Sequence, residues 1–362
     1  MEATASIPNV SSKHGFSKLD LLLVFIPLSL IFSFAHLGGM YVFIFSIISI
    51  IPIAKHIGIA TESIALRVTP ALSALLNATF GNAIELMIAI FALQRGLVDV
   101  VRASITGSII ANLLLLIGLS MLAGGLKYKE QKFNKDSAGI SSTMLIIAIA
   151  GLSIPTVYAF VTNNGALQTL SLSVSVVMAA IYILSLVFTF VTHKHLFDVG
   201  DELRREKIKP TTTMRKSLIV LVVFVILAAI QSELLVSTIQ SASSQIGLTE
   251  VFIGVVVIAI LSNIAEKLNA ITFALKDKVY LSIEIGTSSA TQMALFVVPI
   301  LTFVAILMGQ PFNLVFPIFE LATIILSVII INYLSTDGRC NWLEGAQLVT
   351  VYLIIIIAFY FL

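Results

Sequence analysis

Gly81-Asn82-Ala83-Ile84-Glu85 returns 181 residues later as Ser262-Asn263-Ile264-Ala265-Glu266. Both copies lie deep in long apolar runs, where a carboxylate is most expensive. An ionisable residue at mid-bilayer costs at least about 2.5–3.5 kcal/mol on insertion scales, so each needs a reason. Outward from the motifs the likeness continues, with Phe91-Ala92-Leu93-Gln94 answering to Phe273-Ala274-Leu275-Lys276. The following apolar segment carries Ser108 and Asn112 in the first copy, and Ser288, Ser289 and Gln292 in the second. Chance recurrence of short apolar words would not place polar residues at matching depths, so the chain reads as an internal repeat.

The composition agrees with that depth. Of 362 residues, 58% are hydrophobic and 11% charged, against about 25% charged in soluble proteins. A water-soluble globular protein, a disordered chain and a coiled coil are excluded. With 21 basic and 19 acidic residues the net charge is +2, which implies no nucleic-acid partner. The single Cys340 rules out a disulfide framework and any CxxC site. The apolar runs are long and continuous, unlike the alternating segments of porin strands. The expectation is therefore an all-α integral membrane protein. At roughly 20 residues per span, the runs supply about eleven transmembrane helices. They divide into residues 1–38 with one extra N-terminal helix, a first repeat at 39–192, a charged cytoplasmic linker at 193–216, and a second repeat at 217–362. Lys13 and Lys18 before Leu21–Phe32 also fit a signal peptide, but the charge pattern works with this segment kept as a span.

Basic residues favour cytoplasmic loops. Counted loop by loop, 17 fall on one side and only Arg95 and Arg102 on the other, with Lys55 and Lys267 inside segments. This places the N-terminus in the cytoplasm and the C-terminus on the opposite side. Five spans per copy, an odd number, give the two repeats opposite orientation. Inverted repeats are the signature of many secondary transporters, whose substrate site lies at the midplane where equivalent helices meet.

Glu62, Glu284 and Glu320 lie towards segment ends, where interfacial water is expected to solvate them; Glu233 is a further acid within a span. Glu85 and Glu266 are deeper and occupy equivalent positions. Asn82 and Asn263 each stand three residues before a glutamate, on the same helix face. Gly81 and Ser262 are weak helix residues, so a local opening there would free backbone carbonyls beside the carboxylates. Ser108 and Asn112 are four apart, as are Ser288 and Gln292, with Ser289 alongside. This hard-oxygen set suits Ca²⁺, which takes six to eight oxygen ligands; Mn²⁺ fits the same donors. A polar network gluing helices is the alternative, although amides and hydroxyls alone would serve for glue. Two neighbouring carboxylates repel when both are ionised, and either a divalent cation or protons relieve the repulsion. Competition between the two is exchange, with at least two protons per Ca²⁺.

Leu76-Asn77-Ala78-Thr79-Phe80-Gly81-Asn82-Ala83-Ile84-Glu85-Leu86 resembles the Ca²⁺/H⁺ antiporters, the cation/proton exchangers of the calcium/cation antiporter superfamily. The resemblance takes in Ala60-Thr61-Glu62, Gly107-Ser108 and Asn112. In the second half it covers Glu250-Val251-Phe252-Ile253-Gly254, Ser262–Glu266 and Ser289–Phe296. It implies inverted five-helix repeats with an extra first helix, proton-driven Ca²⁺ export, and Glu85 and Glu266 as the two essential glutamates. Two departures stand out. Lys267 occupies the place of a histidine in the family's second motif, and Gln240 lies where an acidic counterpart to Glu62 is expected. Sodium-coupled Ca²⁺ exchangers generally place proline before the motif acid, whereas Ile84 and Ala265 stand here, which favours proton coupling.

Glu62 and His56 are candidates for a cytoplasmic access path. In the linker, Asp198, Asp201, Glu202 and Glu206 fall on one helical stripe, read as a solvated face or a Ca²⁺-sensing segment. A cation channel is the competing class; an enzyme finds no HExxH motif or paired intramembrane aspartates to support it. No cofactor is expected beyond the transported Ca²⁺ and H⁺. The partners are those ions and the bilayer, with a homo-oligomer left open. The short N-terminal region points to a prokaryotic plasma membrane over a vacuole.

Overall fold

The computed structural model describes residues 18–162, 165–193, 213–310 and 312–362. The linker acids Asp198, Asp201, Glu202 and Glu206 lie outside them. A 3₁₀ stretch, Lys18–Val24, leads into α1 (Phe25–Phe34), and α1 packs on α2 (Gly39–Ala65). α3 (Pro70–Gly81) and α4 (Ala83–Gln94) form a bent pair. α5 (Val98–Ile110) runs through a π turn at Ala111–Leu116 into α6 (Ile117–Tyr128), followed by α7 (Lys135–Val161) and α8 (Leu167–Val187). The second half opens with α9 (Met214–Ile246). Then come α10 (Glu250–Phe252), a π stretch at Ile253–Ile258, α11 (Ala259–Leu261) and α12 (Ile264–Ala274). α13 (Val279–Gln292) passes through a π turn at Met293–Val297 into α14 (Val298–Leu307), and α15 (Ile318–Leu334) and α16 (Trp342–Tyr360) close the chain.

This is the expected all-α membrane architecture. Seven described helices are long and apolar enough to cross a membrane, or up to nine when each bent pair is one span. Ile318–Leu334 is a shorter apolar helix, and the first segment is part 3₁₀. The count of about eleven therefore depends on reading bent and short helices as spans. Helix starts follow their capping chemistry. Thr69, Thr213 and Thr249 each accept a hydrogen bond from the first helical turn, and Asn341 with Glu344 forms a capping box. Gly247, with φ 74°, ends α9 in the left-handed region. Large apolar side chains such as Leu218, Ile219, Val222, Val223 and Ile226 of α9 stay exposed, as a lipid-facing surface requires.

The Val98–Tyr128 span is the most enclosed, with 72% of its apolar window buried, against 17% for Leu167–Thr192. The core of the molecule is therefore built around α5 and α6, with α8 at the rim. Polar bonds tie the first segment in: Gln231 Oε1 accepts from Ser29 at 2.9 Å and from Ser49 at 3.0 Å.

Contacts sort the turns to two ends. At one end, strand β1 (Glu130–Lys132) pairs antiparallel with β2 (Arg339–Asn341), and Gln131 reaches Ala274 and Asp277. At the other end, Asn313 accepts from Arg102, the Phe312 carbonyl accepts from Gln168, and the Leu314 carbonyl accepts from Thr156.

Candidate ion site

Helix geometry fails at the same place in both copies. Asn82 has φ −102° and ψ 14°, and Asn263 has φ −111° and ψ 23°. The helices on either side diverge by 49° in the first copy and 53° in the second. The cause is local competition for backbone groups. Asn82 Nδ2 donates to the Ala78 carbonyl at 2.9 Å, and Ser262 Oγ donates to the Ile258 carbonyl at 2.8 Å. Each break delivers a glutamate into the first turn of the next helix, Glu85 in α4 and Glu266 in α12. There the positive end of the helix dipole favours negative charge. The opening expected from Gly81, Asn82, Ser262 and Asn263 is present.

The two breaks meet. A Cβ added at Gly81 would stand 3.6 Å from Glu266 Oε1, so the first break lies against the second carboxylate. Glu266 Oε2 accepts from Ser289 Oγ at 2.8 Å. Glu85 is 5% exposed, and neither of its carboxylate oxygens has a hydrogen-bond partner among the described residues. The charges of Glu85, Glu266 and Lys267 interact. Asn82 Nδ2 also donates to Gln292 Oε1 at 2.9 Å, and Gln292 Nε2 donates to Ser288 Oγ at 3.1 Å. One hydrogen-bonded string thus joins the first break to α13.

Ser108 Oγ, both amide atoms of Asn112 and Asn263 Nδ2 are buried without a partner among the described residues. Leaving such a group unsatisfied costs about 1–3 kcal/mol, so several in one region mark a place that is not built for packing alone. Asn112 sits in a π turn and Gln292 immediately precedes another. Single π turns let a helix re-aim its side chains and are frequent at functional sites. The Asn112 turn packs against α12 and α13.

Other expected residues fall elsewhere. His56 stacks on Phe224 at 4.4 Å and lies 3.2 Å from Asp20, to which Lys55 is paired at 2.7 Å. Glu62 is exposed near the end of α2 and shares no hydrogen bond with His56. Gln240 and Glu233 are exposed on α9. Glu320 corrects an expectation: placed at an interface by sequence position, it is only 2% exposed and accepts from Thr106 Oγ1 at 2.7 Å. The reason is that one face of the first turn of α15 packs against α5, although Ile318 at its start is exposed. Lys267, which one helical step could have turned away, is buried, with Nζ donating to the Ala259 carbonyl at 3.2 Å. No spacing signal in the sequence marked Thr106 as the partner of Glu320. Among the described residues no three His, Cys, Asp or Glu side chains gather as a resident metal site.

A multi-pass helical bundle with two facing broken helices, one carrying a buried and the other a half-buried carboxylate, defines the class of secondary ion transporters. The sodium/calcium exchanger protein family matches residues 38–191 and 216–361. A Ca²⁺/H⁺ antiporter of Aphanothece halophytica is 42% identical over 356 residues, spanning 94% of this chain and 95% of that protein. The Ca²⁺/H⁺ antiporter ChaA of Bacillus subtilis is 40% identical over 339 residues, spanning 93% and 97%. The solved structure of native YfkE superposes with a TM-score of 0.83 at 37% identity, covering 95% of this chain and all 100% of that one. The chain belongs to the sodium/calcium exchanger protein family, and the family resemblance carried by Leu76–Leu86 is thereby shown.

Proposed function

We propose that the protein exchanges Ca²⁺ for protons across a membrane, with both ions competing for Glu85 and Glu266. The observation that carries this reading is the meeting of two equivalent helix breaks, which brings the buried carboxylate of Glu85 and the half-buried one of Glu266 to one place. A divalent cation binds the doubly ionised pair and cancels its repulsion. Protons neutralise the same oxygens and release the cation. An empty, doubly charged pair is costly to carry across, which suppresses uncoupled leak. The side-chain amide oxygens of Asn82 and Asn263 supply further oxygen donors for Ca²⁺. Ser289 orients Glu266, while Ser288 and Gln292 orient Asn82. Ser108 and Asn112 offer unengaged polar atoms on the facing helix.

In this reading residues 39–192 and 217–362 are inverted halves whose relative motion opens the pair alternately to each side. Residues 1–38 supply an extra helix, and the 193–216 linker lies in the cytoplasm with the N-terminus. The names of the relatives above, at 40–42% identity over nearly the whole chain, support Ca²⁺ and protons as the exchanged ions. The test is proton-gradient-driven Ca²⁺ uptake into proteoliposomes. Glu85→Gln and Glu266→Gln each abolish uptake; near-normal transport by either variant sinks the competition mechanism.

A further inference from the structure

Two more acids, buried Glu320 and half-buried Glu284, each tie together the same pair of helices in the two halves. Glu320 is the third residue of α15 and is held by Thr106 of α5, with Thr106 Oγ1 donating to Oε2 at 2.7 Å. Ser137 is the third residue of α7 and holds Glu284 of α13, its Oγ donating to Oε2 at 3.2 Å. The repeat relates α5 to α13 and α7 to α15. The same pair of helices is therefore pinned by a carboxylate and a hydroxyl in each half, with acid and hydroxyl exchanged. In both cases one carboxylate oxygen is held and Oε1 is left without a hydrogen bond from the described residues.

The two acids flank the candidate ion site on opposite sides. Thr106 stands six residues before Asn112, about 9 Å at helical rise. Glu284 stands eight residues before Gln292, about 12 Å. α13 runs antiparallel to the Val98–Tyr128 span: Gly286 lies against the Asn112 carbonyl and Ile117, and Leu275, just before α13, accepts from Lys127 and Tyr128 at the far end. Glu320 thus lies towards the end that holds Arg102 and Asn313, and Glu284 towards the end that holds Gln131 and Asp277.

We infer that Glu320 and Glu284 are proton-transfer residues, each serving the central pair from one face of the membrane. Either carboxylate takes a proton from water at its own face on Oε1 and gives it up inwards, which regenerates the carboxylate; the reverse sequence releases a proton. A way station for the divalent cation fits less well. Each place offers one carboxylate and one hydroxyl where Ca²⁺ takes six to eight oxygens, and the Arg102 charge acts on Glu320. Arg102 and Asp99 are the charged groups that influence Glu320, and Ser137 is the polar partner of Glu284. Buried membrane carboxylates in series are the usual material of proton relays.

The inference rests on the proposed exchange, and the test separates the two. Reconstituted Glu320→Gln and Glu284→Gln proteins are compared in proton-driven Ca²⁺ uptake and in isotopic exchange of ⁴⁵Ca²⁺ for Ca²⁺, which needs no proton transfer. Proton-driven uptake falls about tenfold or more in each, while isotopic exchange stays at the wild-type rate. In uniformly oriented vesicles, a proton jump on one face exposes the Glu320→Gln defect and a jump on the opposite face the Glu284→Gln defect. Equal loss of both modes makes these acids structural posts and overturns the inference, as does wild-type proton-driven uptake or a defect on the same face for both. Failure of the central-pair reading has a different signature, since Glu85→Gln would then retain both modes.

Discussion

Lys267 is where the two motifs differ most in charge, since Leu86 holds the corresponding place in the first copy. Its buried ammonium interacts with both carboxylates, so it competes in place with any cation that approaches them. At an effective dielectric of about 20, one such charge a few ångströms beyond contact is worth about 1–2 kcal/mol. Lys267→Met, which keeps the apolar stem, lowers the Ca²⁺ concentration for half-maximal uptake about tenfold, read from a Ca²⁺ titration of proteoliposomes. Asn112 makes the complementary point about stability. Both of its amide atoms are buried and unpaired among the described residues. Asn112→Leu removes that cost and holds or raises the melting temperature, by up to about 1–3 kcal/mol of stability, while transport falls. A variant that loses stability along with transport would show instead that Asn112 serves packing.

At the scale of elements, the close crossing of α5 over the Ile253–Ile258 stretch decides whether Ser108 reaches its place. A Cβ at Gly107 would overlap the Val255 backbone carbonyl, and one at Gly254 would stand 2.8 Å from Ala103 Cβ. Gly107→Ala forces these elements apart and costs about 1–3 kcal/mol, with a loss of transport that a thermal melt and an uptake assay together detect. Gly58→Ala is the control: a Cβ there meets nothing within 4 Å, and a mid-helix alanine gains roughly 0.5–1 kcal/mol. Elements also show what could be read in advance. The broken helices were legible because Gly81, Asn82, Ser262 and Asn263 act through local backbone chemistry, which sequence carries directly. The meeting of the breaks followed from the repeat. Glu320 was misread because position along an apolar segment does not tell which face of its end is covered, and α5 covers the Glu320 face of the first turn of α15. The π turns at Ala111–Leu116 and Met293–Val297 carry no residue signature at all.

For the whole molecule, inversion of the halves makes a claim that a surface label can check. Arg95 follows the broken helix pair of the first half and Lys276 that of the second; both are exposed. If the halves are inverted, these equivalent loops face opposite sides of the membrane. The chain's own Cys340 does not confuse the measurement, being 2% exposed with burial pushing its thiol up to about 12, so little reactive thiolate forms at neutral pH. Arg95→Cys and Lys276→Cys proteins in sealed, uniformly oriented vesicles therefore take a membrane-impermeant maleimide from opposite sides. The positive-inside pattern gives the sign: Lys276 labels from the cytoplasmic side and Arg95 from the other. Labelling of both from one side would remove the inverted repeat. The equivalence of Glu85 with Glu266, and of the helix pairs tied by Glu320–Thr106 and by Glu284–Ser137, would then no longer carry alternating access, because alternation needs the two halves to present the same devices to opposite faces.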